Sequence, residues 1–118
     1  MLITMLIRYW KFITAVLFLI ITALSLFPLP ELPEIPGNDK TMHFLAYGAF
    51  AFPVSFVKPK KYFYYLLLFG LWSGLIEILQ PYVNRYGEWN DFYANCTGIF
   101  FGFLMATLIS SFFKAKRD

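Results

Sequence analysis

The chain has 118 residues, of which 59% are hydrophobic, 22% aromatic and only 14% charged, whereas soluble domains run about 45–50% apolar and about 25% charged. That length fits a single unit, residues 1–118, and that composition makes a lipid bilayer its solvent. The net charge of +3 is too small to indicate nucleic acid, and the lone cysteine, Cys96, excludes an intramolecular disulfide and a thiolate metal cluster.

Four apolar segments follow in order. The first runs from about Tyr9 to Phe27, with Arg8 and Lys11 at its start. It is longer than the 7–15-residue apolar stretch of a secretory leader, so it is expected to stay as a span rather than be cleaved. Pro28, Pro30, Pro33 and Pro36 then make the connection extended and stiff, because each fixes φ and removes a donor. The second segment covers about Asp39 to Val57, and Pro53 is expected to kink it near its end. Lys58, Lys60 and Lys61 fill a short connection to the third segment, from about Tyr62 to Gln80. A loop with Tyr82, Arg85, Tyr86 and Trp89 leads to the fourth, from about Asp91 to Phe113. Each segment is close to the roughly 20 residues that cross a bilayer core. The expected fold is therefore all-α, a four-helix transmembrane bundle.

Charge placement predicts its orientation. Arg8, Lys11, Lys58, Lys60, Lys61, Lys114, Lys116 and Arg117 all fall at one end, leaving Lys40 and Arg85 at the other. Glu31, Glu34, Asp39, Glu77, Glu88 and Asp91 fall at that second end. Since lysine and arginine are retained in the cytoplasm, both termini are expected there, in the inner (cytoplasmic) membrane of a cell, with the second end facing out.

That outer end carries a polar layer. Asp39, His43 and Tyr47 recur at i, i+4 and i+8, one stripe of a helix. Glu77 and Gln80 lie three apart, and Asp91, Asn95, Gly98 and Gly102 follow at four, three and four. Three helices thus bring ionisable or amide groups to one shallow depth, and His43, Glu77, Asp91 and Asn95 are expected to line an outward-facing cavity with Arg85 over its mouth. Several of these residues also have structural readings. Asp39 and Asp91 suit helix N-caps, Tyr47 a membrane-belt aromatic, Asn95 an interhelical hydrogen bond and Gly98–Gly102 close helix packing, within the chain or between chains. Cys96 reads as a small packing residue. Glu77 fits a structural role least well, because an acid inside a span costs a few kcal/mol and calls for a partner; Arg85, Lys40 and protonated His43 are the candidates.

The second and fourth segments both start at the outer end, where free amides and positive dipole ends favour anions. Lys40 and Arg85 stand there, and arginine grips phosphate bidentately. Lys40, Arg85, Tyr47, Gln80, Asn95 and Asp39 are thus the candidate anion- or headgroup-binding residues. His43, Glu77 and Asp91 are the candidate catalytic groups, His43 or Glu77 as general acid or base and Asp91 orienting the histidine. Asp39, Glu77 and Asp91 could tolerate that anion by pairing with the basic residues, by carrying protons or by holding a divalent metal that bridges to it, though no His-Glu-x-x-His motif points to a metal.

The ordered pattern Asp39-Lys40-x-x-His43-Phe44-x-x-Tyr47, Glu77-x-x-Gln80, Arg85, then Asp91-x-x-x-Asn95-x-x-Gly98-x-x-x-Gly102 resembles the VanZ-like family. The resemblance covers nearly the whole chain and is weakest over the first segment. It implies a small bacterial envelope protein of about four spans, related to a namesake linked to resistance to the lipoglycopeptide teicoplanin. It names a phenotype and no reaction. Three classes therefore stay open: an enzyme acting on an outer-leaflet lipid or lipid-linked cell-wall intermediate, a protein that binds or transports such a lipid or lipopeptide, and a structural membrane accessory.

Overall fold

A computed structural model of the chain describes residues 2–26, 38–83 and 89–117, with side chains for 2–26, 40–83 and 89–113. Helix α1 spans Leu2–Leu26, α2 Asn38–Val57, α3 Tyr62–Leu79 and α4 Trp89–Arg117, and α3 tightens into a 3-10 turn over Gln80–Val83. The fold is all-helical, and no strand occurs among the described residues. Its extents are 52 × 24 × 23 Å, enough in one direction to cross a bilayer of about 40–45 Å.

Three stretches, Leu2–Leu26, Tyr62–Val83 and Trp89–Phe113, are long and apolar enough to cross a membrane. The distribution of side chains agrees with a lipid solvent. Phe12, Leu19, Leu67, Leu71, Phe100 and Leu108 stand exposed, while Ser55, Ser73, Glu77, Gln80, Asp91 and Asn95 are buried. In water this arrangement would expose far more apolar surface than a monomer tolerates. The chain is a helical membrane protein.

The second segment, expected as a fourth span, does not reach that apolarity among its described residues. It is the helix that the others surround: α2 packs chiefly on α4, then α1, and also touches α3. Tyr47, Phe50, Ala51, Val54 and Phe56 of α2 are all buried. A helix wrapped by protein needs less apolarity than one that faces lipid, which is why its hydropathy understates its place in the bundle. Pro53, expected to kink α2, lies inside it, and α2 runs on to Val57 as one α-helix. Non-helical dihedrals occur at Tyr9 of α1 (φ −114°, ψ 20°). Residues 2–8, ahead of the expected first segment, thus form a further helical stretch before that break.

Glycine sets the α2–α4 distance. A Cβ at Gly98 would overlap the carbonyl of Phe44, and one at Gly102 the carbonyl of Gly48. The small-residue stripe that the sequence left between two readings packs within the chain, and the two backbones touch. Aromatic rings fill the rest of the core, with Phe50 stacked on Phe69 at 3.9 Å and Phe18 on Trp72 at 5.1 Å. Trp72 Nε1 also donates to Thr22 Oγ1 at 3.0 Å, tying α3 to α1.

Residues 58–61 connect α2 to α3. Lys58 adopts a left-handed φ of 51° and its N–H closes on the Val54 carbonyl at 2.8 Å. That conformation costs a non-glycine residue about 1–2 kcal/mol. The Lys58 ammonium offsets it by donating to Thr107 Oγ1 at 2.7 Å and to the Ser55 carbonyl at 3.1 Å. It also lies 5.3 Å from the centroid of the Phe103 ring. Desolvation holds its pKa below the ordinary lysine value.

Candidate functional site

Three helical stripes meet at one end of the bundle. On α2, Lys40, His43 and Tyr47 follow at i, i+3 and i+7; on α3 and the turn that ends it, Ser73, Glu77 and Gln80 follow at i, i+4 and i+7; α4 contributes Asp91 and Asn95 one turn apart. Such spacing puts each set on one face of its helix. Because Gly98 lets α4 approach α2 one turn further in, these faces stand close enough for short side chains to bond across the gap.

The centre of the cluster is His43. Its Nδ1 lies 3.0 Å from Asn95 Oδ1, and Asn95 Nδ2 donates to Ser73 Oγ at 2.7 Å. With the amide NH₂ given to Ser73, Asn95 Oδ1 is the acceptor, so His43 Nδ1 carries the hydrogen. Nε2 is then the ring nitrogen left to take up or release a proton. It faces Asp91 Oδ2 at 3.6 Å, beyond hydrogen-bond length, so Asp91 acts on it as a charge. The other Asp91 oxygen, Oδ1, accepts from the Lys40 ammonium in an ion pair. One connected set therefore runs from Ser73 on α3 through Asn95 on α4 and His43 on α2 to Asp91 and Lys40.

Burial grades this set. Asn95 is 1% exposed and Asp91 6%, while the side chain of Lys40 is 33% exposed and that of His43 23%. The amide end is dry and the cationic end reaches the surface. A ring held by a buried amide at one nitrogen and open toward an acid at the other can exchange a proton without losing its orientation.

The remaining candidates fall around this core. Glu77 is 4% exposed, one turn along α3 from Ser73. It lies in the protein interior, as the cost of an acid in lipid demands. Tyr47 is 2% exposed and meets Phe50 edge-on at 5.9 Å, so it is an interior ring and not a membrane-belt aromatic. Its hydroxyl sits beside Ser73 and within electrostatic reach of Glu77, without a hydrogen bond of good geometry among the described residues. Gln80 turns away from the histidine, and its Nε2 donates to the Ser25 carbonyl at 3.1 Å, joining α3 to the end of α1. Cys96 is half-buried and lines a groove between α3 and α4.

Three expectations fall partly or wholly outside the described residues. Arg85, the expected second basic anchor, lies outside them, as does the proline-rich connection with Glu31 and Glu34. Asp39 belongs to the first turn of α2, but its side chain is outside them too.

One feature differs from the sequence reading: the close partner of the histidine ring is Asn95, with Asp91 further away. Lys40 is engaged by Asp91, one of the pairings of acid with base that the sequence left open. The polar residues pack on one another, and they line none of three grooves of about 460–540 Å³ that run between the helices. Ser73 is the member of the cluster that sequence reasoning missed. A serine in an apolar run carries little signal alone; its place one turn before Glu77 was the available hint. Among the described residues no group of three His, Cys, Asp or Glu side chains is arranged to hold a metal ion.

Comparison with protein-family models, with curated proteins and with solved structures yields no significant match.

Proposed function

We propose that the chain is a VanZ-like protein of the bacterial cell envelope that binds, and in its catalytic form modifies, an anionic lipid or lipid-linked cell-wall intermediate at the polar end. The observation that carries this reading is the connected set Ser73–Asn95–His43–Asp91–Lys40, which orients one imidazole and leaves its Nε2 available. Helix starts on α2 and α4 add positive dipole ends beside it. An arriving phosphate competes with Asp91 for the Lys40 ammonium. Asp91, once released, stabilises the protonated Nε2, so that headgroup binding and proton uptake by His43 are coupled. Glu77 is the second proton-carrying candidate, and Arg85 a further anchor for the phosphate. The resemblance links this role to lipoglycopeptide tolerance. The charge asymmetry supports an inner-membrane protein with cytoplasmic termini and the polar end facing out.

A structural reading has its own support, since Asn95–Ser73 and Gln80–Ser25 tie helices together. Conservative substitution separates the two. His43→Gln and Glu77→Gln keep size and much of the hydrogen bonding while removing the ionisable group. Both are expected to abolish teicoplanin tolerance at unchanged membrane abundance, whereas Cys96→Ala keeps it. Full tolerance in Glu77→Gln would hand the site to the structural reading. Native mass spectrometry of the purified protein, then incubation with any lipid found, divides catalysis from binding: a changed lipid mass means chemistry. In the Cys96→Ala background, an impermeant thiol reagent should reach a cysteine at position 34 or 88 from outside and miss one at 60 or 116. Labelling of 116 would reverse the orientation.

A further inference from the structure

Starting at the opposite end of the bundle and running inward, α1 and α3 part to leave a groove of about 490 Å³, walled by Phe18, Phe50, Phe69 and Trp72. Every membrane lipid has acyl chains to lay in an apolar slot, so the wall alone selects nothing. The mouth is different. Lys11 lines it, with its ammonium 5.7 Å from the centroid of the Trp10 ring. Trp10 meets Tyr65 edge-on at 5.6 Å, closing the groove end between the two helices. Lys61 stands one turn before Tyr65 on α3, at the same end. The grooves between α3 and α4 and between α1, α2 and α4 have no charged lining residue.

We infer that this groove binds a phospholipid with an anionic headgroup. One acyl chain lies along the aromatic wall. The Lys11 ammonium holds the phosphate, with Lys61 across the gap adding charge. Amphipathic rings at headgroup depth and cations in a pocket between spans are the chemistry that recognises such lipids. This site shares no residue with the polar cluster and does not rest on the function proposed for it.

Tryptophan quenching tests it, because Trp10 and Trp72 line the groove and Trp89→Phe removes the third tryptophan of the chain. The full chain with Trp89→Phe is reconstituted in vesicles holding equal mole fractions of brominated phosphatidylglycerol or brominated phosphatidylcholine. Phosphatidylglycerol is expected to associate about fivefold more tightly, the increment of one cation near the surface. Lys11→Gln lowers that preference about fivefold, while Lys60→Gln, an equal charge change off the groove, leaves it intact. Equal quenching by the two lipids in the parent chain overturns the site, as does a preference that survives Lys11→Gln. A preference lost equally in Lys60→Gln also overturns it, by showing a diffuse surface charge in place of a site.

Discussion

Lys40 and Lys58 stand at opposite ends of α2, and α4 holds each of them. Lys40 is paired with a carboxylate, Asp91, that also faces His43. Lys58 is held by neutral groups: the Thr107 hydroxyl, the Ser55 carbonyl and the faces of Phe103 and Tyr62. The first contact depends on the protonation of two further groups, so a ligand or a proton can rearrange it. The second has no acidic side chain as partner among the contacts of Lys58 and simply fastens the turn. Two lysines bonded across one helix pair thus serve different ends, and the partner, not the lysine, makes the difference.

Both contacts hang on the α2–α4 distance, so the largest effect is expected from changing it. Gly98→Ala drives a methyl group into the Phe44 carbonyl and should cost about 1–3 kcal/mol, the usual range for overpacking. It should also part His43 from Asn95. Unfolding of the purified protein in detergent gives the stability. Gly70→Ala is the control: nothing lies within 4 Å of its Cβ, so it should be neutral or stabilise by up to about 1 kcal/mol. Equal behaviour of the two variants would remove glycine packing as the device that builds the site.

A smaller difference should separate the ends themselves. Asn95→Ala leaves His43 Nδ1–H and Ser73 Oγ short of partners in a buried place, at about 1–2 kcal/mol. Thr107→Val removes one acceptor from a lysine that keeps its carbonyl and reaches water, and should stay under about 0.5 kcal/mol. If Thr107→Val proved as costly as Asn95→Ala, the contrast between the ends would collapse. The smallest change is expected from Lys58→Gly. Glycine relieves the left-handed conformation, about 1–2 kcal/mol, while the lost ammonium contacts take back a similar amount. A net change within about 0.5 kcal/mol is expected in the same unfolding assay, and a larger loss would mean that the ammonium contacts outweigh the backbone strain.

Much of this was legible before any coordinates. Four helices and their order follow from apolar runs broken by proline and lysine clusters, whereas the start of α1, at Leu2 and not near Tyr9, does not. The convergence of His43, Asp91 and Asn95 follows from their equal depth on alternating helices, because rise per residue is local and constant. Depth, however, says nothing about rotation around a helix axis. Gln80 has the right depth and points to Ser25 instead.

What the sequence by itself determined is therefore a hydropathy profile, a set of depths and a charge asymmetry between ends, all properties of single helices. Tertiary structure decided which groups touch. It set Asn95 rather than Asp91 against the histidine ring, engaged Lys40 with Asp91, and drew in Ser73, which the sequence did not mark. It also turned the Gly98–Gly102 stripe inward onto Gly48 and Phe44 and placed at the centre the helix that falls short of the apolarity of a span. The physical reason is that lipid selects only for apolar surface, whereas azimuth and partner choice come from the contact of two backbones that lie about fifty residues apart in the chain, a separation over which local propensity carries no information.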